Sequence, residues 1–85
     1  QMNQKSVAEI VNFLKENGAG SIVKRSDAKE ASCGFLTIGT LRNDDSLQRG
    51  PDERVLFGAR GVVGYPIESV ARYMAKRGFR IESRS

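Results

Sequence analysis

Apolar residues near the amino terminus recur at helical spacing. The stripe that they form consists of Val7, Ile10, Val11 and Leu14. This spacing is typical of an amphipathic helix that packs one face on a core. Ser6 and Glu9 have the spacing of a capping box, and Asn17–Gly18 supplies a stop because glycine adopts the left-handed conformation freely. The pattern therefore predicts a first helix from Ser6 to Asn17.

A short strand and a second helix are predicted to follow. Ser21–Lys24 contains consecutive β-branched residues and is typical of a short extended segment. Asp27 and Glu30 repeat the capping-box spacing, so we expect a helix from Asp27 to Cys33. Gly34 then breaks this helix, because glycine is the strongest local signal for a helix end.

A third helix is predicted after a turn at Phe35–Leu36. Thr37 caps its amino terminus, and its apolar positions are Ile38, Leu41 and Leu47. Two helices joined by a short glycine-containing turn form a helix-turn-helix, whose second helix reads DNA in the proteins that use it for recognition. Such helices cross closely, so small packing residues are needed between them. The preceding helix supplies Ala28, Ala31 and Ser32.

A β-hairpin and a further helix complete the pattern. Val55–Phe57 and Val62–Tyr65 are predicted strands, and Gly58–Gly61 between them has glycine at both ends, as a hairpin turn does. Pro66 suits the first position of the last helix, where its missing N–H costs nothing, and Gly78 ends that helix. The apolar face of this helix consists of Val70, Tyr73 and Met74.

The order of these elements predicts the fold class. Helix, strand, helix, helix, strand and strand, followed by a closing helix, is the order of a winged helix-turn-helix. Alternation over Phe79–Glu82 predicts one more short strand. With 85 residues, the chain is predicted to form a single α+β domain over residues 1–85, with three to four helices and a two- to three-stranded β-wing.

Positive charge is concentrated in the carboxy-terminal third of the chain. The whole sequence has 14 basic and 10 acidic residues, a formal net charge of +4. Residues 54–85 contain seven basic and two acidic residues. Arginine dominates there and suits phosphate groups and guanine edges, which favours a nucleic-acid partner. The basic residues of the last helix and tail are Arg72, Lys76, Arg77, Arg80 and Arg84. They either hold phosphates or form a solvated helix face.

Composition argues against an enzyme, a metalloprotein and a membrane protein. The chain has no histidine and one cysteine, so catalytic triads and metal clusters lack their usual residues. Cys33 is therefore predicted to be a small buried apolar residue. Apolar runs are too short for a membrane span, and neither a signal peptide nor a disulfide is indicated. We expect a cytoplasmic protein without catalytic residues, cofactor, metal or small-molecule substrate.

Four landmarks follow one another along the chain. They are Thr40–Arg42, Gly50–Pro51, the hairpin Val55–Tyr65, and the segment Ile67–Met74 ending in Lys76–Arg77. Within Ala28–Arg77, about 50 residues, this order resembles the excisionase-like, MerR-type winged helix-turn-helix domains of phages and other mobile elements. The resemblance implies sequence-specific binding of double-stranded DNA. The protein would then be a transcription regulator or an excisionase-type factor.

The residues expected to contact DNA lie on several segments. The third helix supplies Thr37, Thr40, Arg42 and Asn43. Arginine reads guanine and asparagine reads adenine through paired hydrogen bonds, while threonine contacts phosphate or a thymine methyl group. Arg60 at the hairpin tip, flanked by Arg54, suits a minor groove, and Arg25 and Arg49 complete the set. The alternative for each residue is an ordinary capping or solvated surface role.

Two carboxylates favour a different function. Asp44 and Asp45 lie in the predicted recognition helix, where negative charge beside a phosphate backbone is unfavourable. They favour a winged-helix protein–protein interaction module that does not bind DNA. A homodimer is a further expected partner, because a domain of this size buries little DNA surface by itself. The apolar stripe over residues 7–14, with Phe13 beside it, serves either a dimer contact or the domain's own core.

Overall fold

The computed structural model describes residues 4–82, with side chains from Ser6 onward. Four α-helices and three β-strands form within this range. The helices are α1 (Gln4–Glu16), α2 (Ala28–Ala31), α3 (Ile38–Ser46) and α4 (Ile67–Lys76). The strands are β1 (Ile22–Lys24), β2 (Val55–Phe57) and β3 (Val62–Pro66), and a 3₁₀ turn, Arg25–Asp27, joins β1 to α2. The protein is therefore a small α+β fold whose elements follow the predicted order through α4.

One antiparallel sheet contains the three strands in the order β1–β3–β2. Val23 of β1 faces Tyr65 of β3, and Val55 of β2 faces Gly64. The chain reverses between β2 and β3 at Gly58–Gly61, as predicted, and the two glycines have φ angles of 82° and 69°. Residues with a Cβ rarely adopt such angles, so glycine at both ends permits this turn.

The core lies between the helices and one face of the sheet. The apolar stripe of α1 packs against α4, and Ile10 and Leu14 are completely buried there. Its predicted use in the domain's own core is confirmed. The predicted apolar face of α4 is confirmed as well, because Val70, Tyr73 and Met74 are all buried. The contact between α1 and α4 is therefore a main part of the core.

Hydrogen bonds fix the turn between α2 and α3. The N–H of Leu36 donates to Oγ of the buried Ser32 at 2.9 Å, and the N–H of Gly34 donates to an α2 carbonyl at 2.7 Å. Cys33 has a φ of 55°, the left-handed conformation that ends a helix. The prediction of a buried Cys33 is wrong, because this reversal leaves its side chain exposed, with Sγ donating to Asn17.

Neither predicted capping box marks its helix start as expected. Helix α1 begins at Gln4, so Ser6 lies inside the helix and not at its cap. The second capping box also does not form, because Asp27 belongs to the 3₁₀ turn and its side chain makes no capping hydrogen bond. The N–H of Ala28 donates to a carbonyl of that turn. A backbone carbonyl thus accepts one of the N–H groups at the start of α2 that have no partner within the helix.

The segment after α4 forms no strand within the described residues, so the predicted strand over Phe79–Glu82 is wrong. Phe79 folds back, and its ring centroid lies 5.2 Å from that of Phe13 and 5.0 Å from that of Phe35. Contact among these three rings stabilises the folded-back course more than an isolated edge strand would. Pro66 ends β3 and caps α4, one residue before the predicted helix position.

Candidate nucleic-acid interface

Helix α3 begins at a capped first turn. Thr37 is extended, with φ −128° and ψ 161°, and its Oγ1 accepts the backbone N–H of Thr40 at 3.1 Å. The Thr37 hydroxyl also donates to Oγ1 of Thr40 at 3.0 Å. The predicted cap is confirmed, and such a threonine contributes about 1 kcal/mol to helix stability. The cap fixes where α3 starts and therefore which residues face outward.

One face of α3 is exposed and contains no acidic residue. Its members are Gly39, Arg42, Asn43 and Ser46. Leu41 is buried on the opposite face, and Asp44 and Asp45 follow it at the spacing that shares a helix face. Their side chains keep only 11% and 9% of their exposure. The two carboxylates of α3 therefore lie away from the exposed face that contains Arg42 and Asn43.

Asp45 connects α3 to the sheet. Its Oδ2 accepts a hydrogen bond from Nη2 of Arg25 at 2.5 Å and one from the hydroxyl of Tyr65 at 2.7 Å. Nε of Arg25 also donates to the Tyr65 hydroxyl oxygen at 3.0 Å, which closes a ring of three side chains. Arg54 adds a longer ion pair, with Nη1 3.9 Å from the same Oδ2. A buried carboxylate needs such partners because water cannot solvate it.

Asp44 connects α3 to α4 in the same manner. Its Oδ2 accepts a hydrogen bond from the hydroxyl of Tyr73 and another from Nη1 of Arg77, the latter at 2.8 Å. The Arg77 guanidinium also lies 5.6 Å from the centre of the Tyr73 ring. Each of these two consecutive carboxylates thus accepts hydrogen bonds from one tyrosine and one arginine. The partners of Asp44 lie at the end of α4, and those of Asp45 lie on β3 and the 3₁₀ turn. This pair of contacts fixes the direction in which the exposed face of α3 points.

We expect both tyrosines to remain protonated well above their ordinary range. Burial, aided by the hydrogen bond to Asp45, raises the pKa of Tyr65 to about 12. Burial and the bond to Asp44 likewise raise the pKa of Tyr73. The unfolded pKa is about 10, so this contribution to stability is complete below pH 10 and is lost as pH rises through about 12.

Tyrosinate absorbance measures this expectation directly, since the sequence has two tyrosines and no tryptophan. The native protein should show little tyrosinate until the pH approaches 12 or the fold is lost. The chain in concentrated guanidinium chloride is the control and should titrate at about pH 10. A native protein that titrated as the unfolded chain does, while keeping its circular dichroism, would contradict the buried tyrosine–aspartate contacts.

The other predicted contact residues divide between the interior and the surface. Arg25 is half-buried, and its guanidinium donates to Asp45 and Tyr65, so it links α3 to the sheet. Arg49 and Arg60 are exposed, the first after α3 and the second in the hairpin turn. The side chain of Arg54, just before β2, keeps 51% of its exposure.

The basic residues of α4 are partly used within the protein. Arg72 donates to both carboxylate oxygens of Asp52, at 3.0 and 3.2 Å, and this contact holds the pKa of Asp52 below its usual range. Arg77 is paired with α3. Lys76 is exposed, and no carboxylate in the described part of the chain lies within 4 Å of it. Arg84 lies outside the described residues.

The sequence patterns did not identify two residues of the exposed face of α3. Gly39 and Ser46 were not singled out, although they share a helical face with Arg42 and Asn43. The available signal was the position of Leu41, since the face opposite a buried leucine is the exposed one. Leu47 was predicted as an apolar packing residue of α3, but it follows the helix and keeps 51% of its exposure.

Comparison with known proteins gives no relative: the chain matches no protein-family model, no curated protein and no solved structure. Over residues 4–82, no helix is long and apolar enough to cross a membrane. The same residues contain no group of three or more histidine, cysteine, aspartate or glutamate side chains placed to hold a metal ion. The geometry of α3 and its neighbours is therefore the basis for a functional assignment.

Proposed function

We propose that this protein is a winged helix-turn-helix protein that binds a specific site on double-stranded DNA, with α3 as the recognition helix. The observation that carries the proposal is the division of α3 into an exposed face, with Arg42 and Asn43, and an inner face on which Asp44 is buried and Asp45 is largely covered. The α2–α3 turn and the β2–β3 hairpin support it, because a recognition helix and a wing need these elements. The role would be that of a transcription regulator or an excisionase-type factor.

The exposed face of α3 has the chemistry needed in a major groove. Arg42 can donate two hydrogen bonds to O6 and N7 of a guanine, and Asn43 can pair with N6 and N7 of an adenine. Gly39 and Ser46 have small side chains, so the helix axis can come close to the base edges. Thr37 and its capped turn lie at the positive end of the helix dipole, which favours a phosphate.

The hairpin is the second contact in this proposal. Arg60 lies in the exposed turn between β2 and β3, on a thin two-stranded projection. An arginine on such a loop can enter a minor groove or contact its phosphates. The alternative function, a protein-interaction module, was favoured by Asp44 and Asp45. Each is paired with an arginine and a tyrosine away from the face of Arg42 and Asn43, so neither opposes DNA at that face.

Replacing Gly39 with alanine should separate stability from DNA binding. A Cβ at Gly39 meets no atom within 4 Å, so the free protein accepts it. The better helix propensity of alanine should raise the free energy of unfolding by about 0.5–1 kcal/mol. In a complex, the added methyl group would stand between α3 and the base edges and should lower the affinity. Urea denaturation and a duplex titration of the same sample measure the two quantities.

Gly20→Ala is the matched control, because a Cβ at Gly20 also meets no atom within 4 Å and this residue lies outside α3. This control should bind duplexes as the wild type does. DNA binding by Gly39→Ala that equals or exceeds that of the wild type would mean that another surface meets the DNA.

Selection of bound duplexes from a random pool tests the proposed function. The wild-type protein should enrich one sequence motif. Arg42→Ala should lose about 1–3 kcal/mol of binding free energy and relax the preference at one base position. Lys15→Ala removes an exposed cation from α1 and should keep the motif unchanged. A pool without any enriched motif would reject sequence-specific binding, and an unchanged motif with Arg42→Ala would reject α3 as its reader.

A further inference from the structure

A cleft of about 390 Å³ opens at the carboxy-terminal end of α3. The basic residues that line it are Arg49, Arg54 and Lys76. Arg49 and Arg54 lie in the loop that joins α3 to β2, and Lys76 lies at the end of α4. All three residues are exposed. The fold thus brings the end of α4 beside this loop, so that three cations surround one opening.

Two carboxylates also line the cleft, but arginines outside its lining compensate both. Asp45 is bound by Arg25 at 2.5 Å, and this arginine lies behind it in the fold. Asp52 receives two hydrogen bonds from Arg72, which is not part of the lining. The three lining cations are therefore not needed to neutralise these carboxylates.

The lining cations lack close partners of their own. Arg49 and Lys76 have no carboxylate of residues 4–82 within 4 Å, and Arg54 has only the long contact to Asp45 at 3.9 Å. Cations that converge in this way repel one another unless an anion lies between them. The carbonyl groups at the end of α3 oppose an anion only weakly, since the N–H groups of Gln48 and Arg49 already donate to two of them.

We propose that this cleft binds a phosphate group and that the group belongs to the DNA backbone beside the bases that α3 reads. The inference rests on the proposed function and adds Lys76 to the contact surface. Guanidinium and ammonium groups together are the usual protein ligands of phosphate. The capped start of α3 lies at the other end of the helix and Arg42 at its middle, so a phosphate in the cleft would flank the bases that the helix face reads.

The double variant Arg49→Gln/Lys76→Gln tests the cleft through the salt dependence of duplex binding. Loss of one phosphate contact should reduce the slope of log affinity against log salt by about 0.9 and leave the preferred motif unchanged. Lys15→Gln/Lys29→Gln is the matched control, because it removes two exposed cations from α1 and α2. It should keep the wild-type slope. A double cleft variant that binds the selected duplex with the wild-type slope would overturn the cleft and leave the proposed function intact.

A titration with inorganic phosphate at constant ionic strength separates the possible sources of the group. The amide signals of Gln48 and Gly50, which also line the cleft, should shift in the wild type and not in the double cleft variant. If the wild type binds no duplex but these signals shift, the proposed function fails while the cleft remains a site for a free phosphate compound. If no duplex binds and no signal shifts, both proposals are overturned.

Discussion

Replacing Asp45 with alanine should destabilise the fold by about 2–3 kcal/mol, a large share of the stability of a domain of this size. The loss leaves the half-buried guanidinium of Arg25 without its carboxylate and the buried hydroxyl of Tyr65 without its acceptor. Unpaired buried groups of this kind cost far more than the net contribution of an intact pair. Urea denaturation followed by circular dichroism measures the change in the free energy of unfolding.

Asp52→Ala is the matched control for this experiment. Asp52 also pairs with one arginine, Arg72, but 59% of its side chain is exposed and water replaces the lost partner. The expected loss is about 0–1 kcal/mol. An Asp45→Ala protein no less stable than Asp52→Ala would show that the contacts of Asp45 do not hold α3 in place, and the stated orientation of its exposed face would lose its support.

DNA affinity should fall about 40-fold when the salt concentration rises fourfold. The exposed cations Arg49, Arg54, Arg60 and Lys76 are placed to neutralise about three phosphates, which gives a slope of about −2.7 in log affinity against log salt. Fluorescence anisotropy with a labelled duplex at several salt concentrations measures this slope. Released counterions, and not direct attraction alone, are the physical cause of the change.

A nearly flat dependence would contradict this expectation. Affinity for a duplex that does not change with salt means that few phosphates are neutralised, and the basic residues of the loop, hairpin and α4 would then be solvated surface. Absence of binding to any duplex at low salt would favour the protein-interaction module. Arg25 and Arg72 should contribute little to the slope in either case, because each already holds a carboxylate.

The sequence predicted α3 well because its start is specified locally. Thr37 caps the helix through a residue three positions away, so neighbours in the chain contain the whole signal. The hairpin turn was predictable for the same reason, since glycine at both ends meets the backbone requirement of Gly58 and Gly61. Features that depend on a few adjacent residues are readable without knowledge of the rest of the fold.

The inward role of Asp44 and Asp45 could not be derived from composition. Their tyrosine partners lie 29 and 20 residues away, and an acidic residue is ordinarily exposed unless such a partner exists. The spacing from Leu41 was the one available signal, and it conflicted with the usual exposure of aspartate. Both carboxylates nevertheless lie on the inner side of α3, because each pairs with an arginine and a tyrosine.

The predicted strand at Phe79 and the predicted burial of Cys33 are wrong because of contacts with distant parts of the chain. The alternation at Phe79 is compatible with a strand, but its ring finds two aromatic partners on other elements. Cys33 has the small apolar side chain of a core residue, but it occupies the left-handed position that ends α2. Local propensity predicts neither outcome, since both depend on where distant segments lie.

Amide chemical-shift mapping with the selected duplex tests most directly whether the exposed face of α3 meets DNA. The largest shifts are expected at Gly39, Thr40, Arg42 and Asn43, with a second group in the hairpin turn at 58–61. The outer side of α1, for which Asn12 is an exposed reporter, should change little. Shifts concentrated on α1 with α3 unaffected, or no shift with any duplex, would contradict the assignment of α3 as the recognition helix.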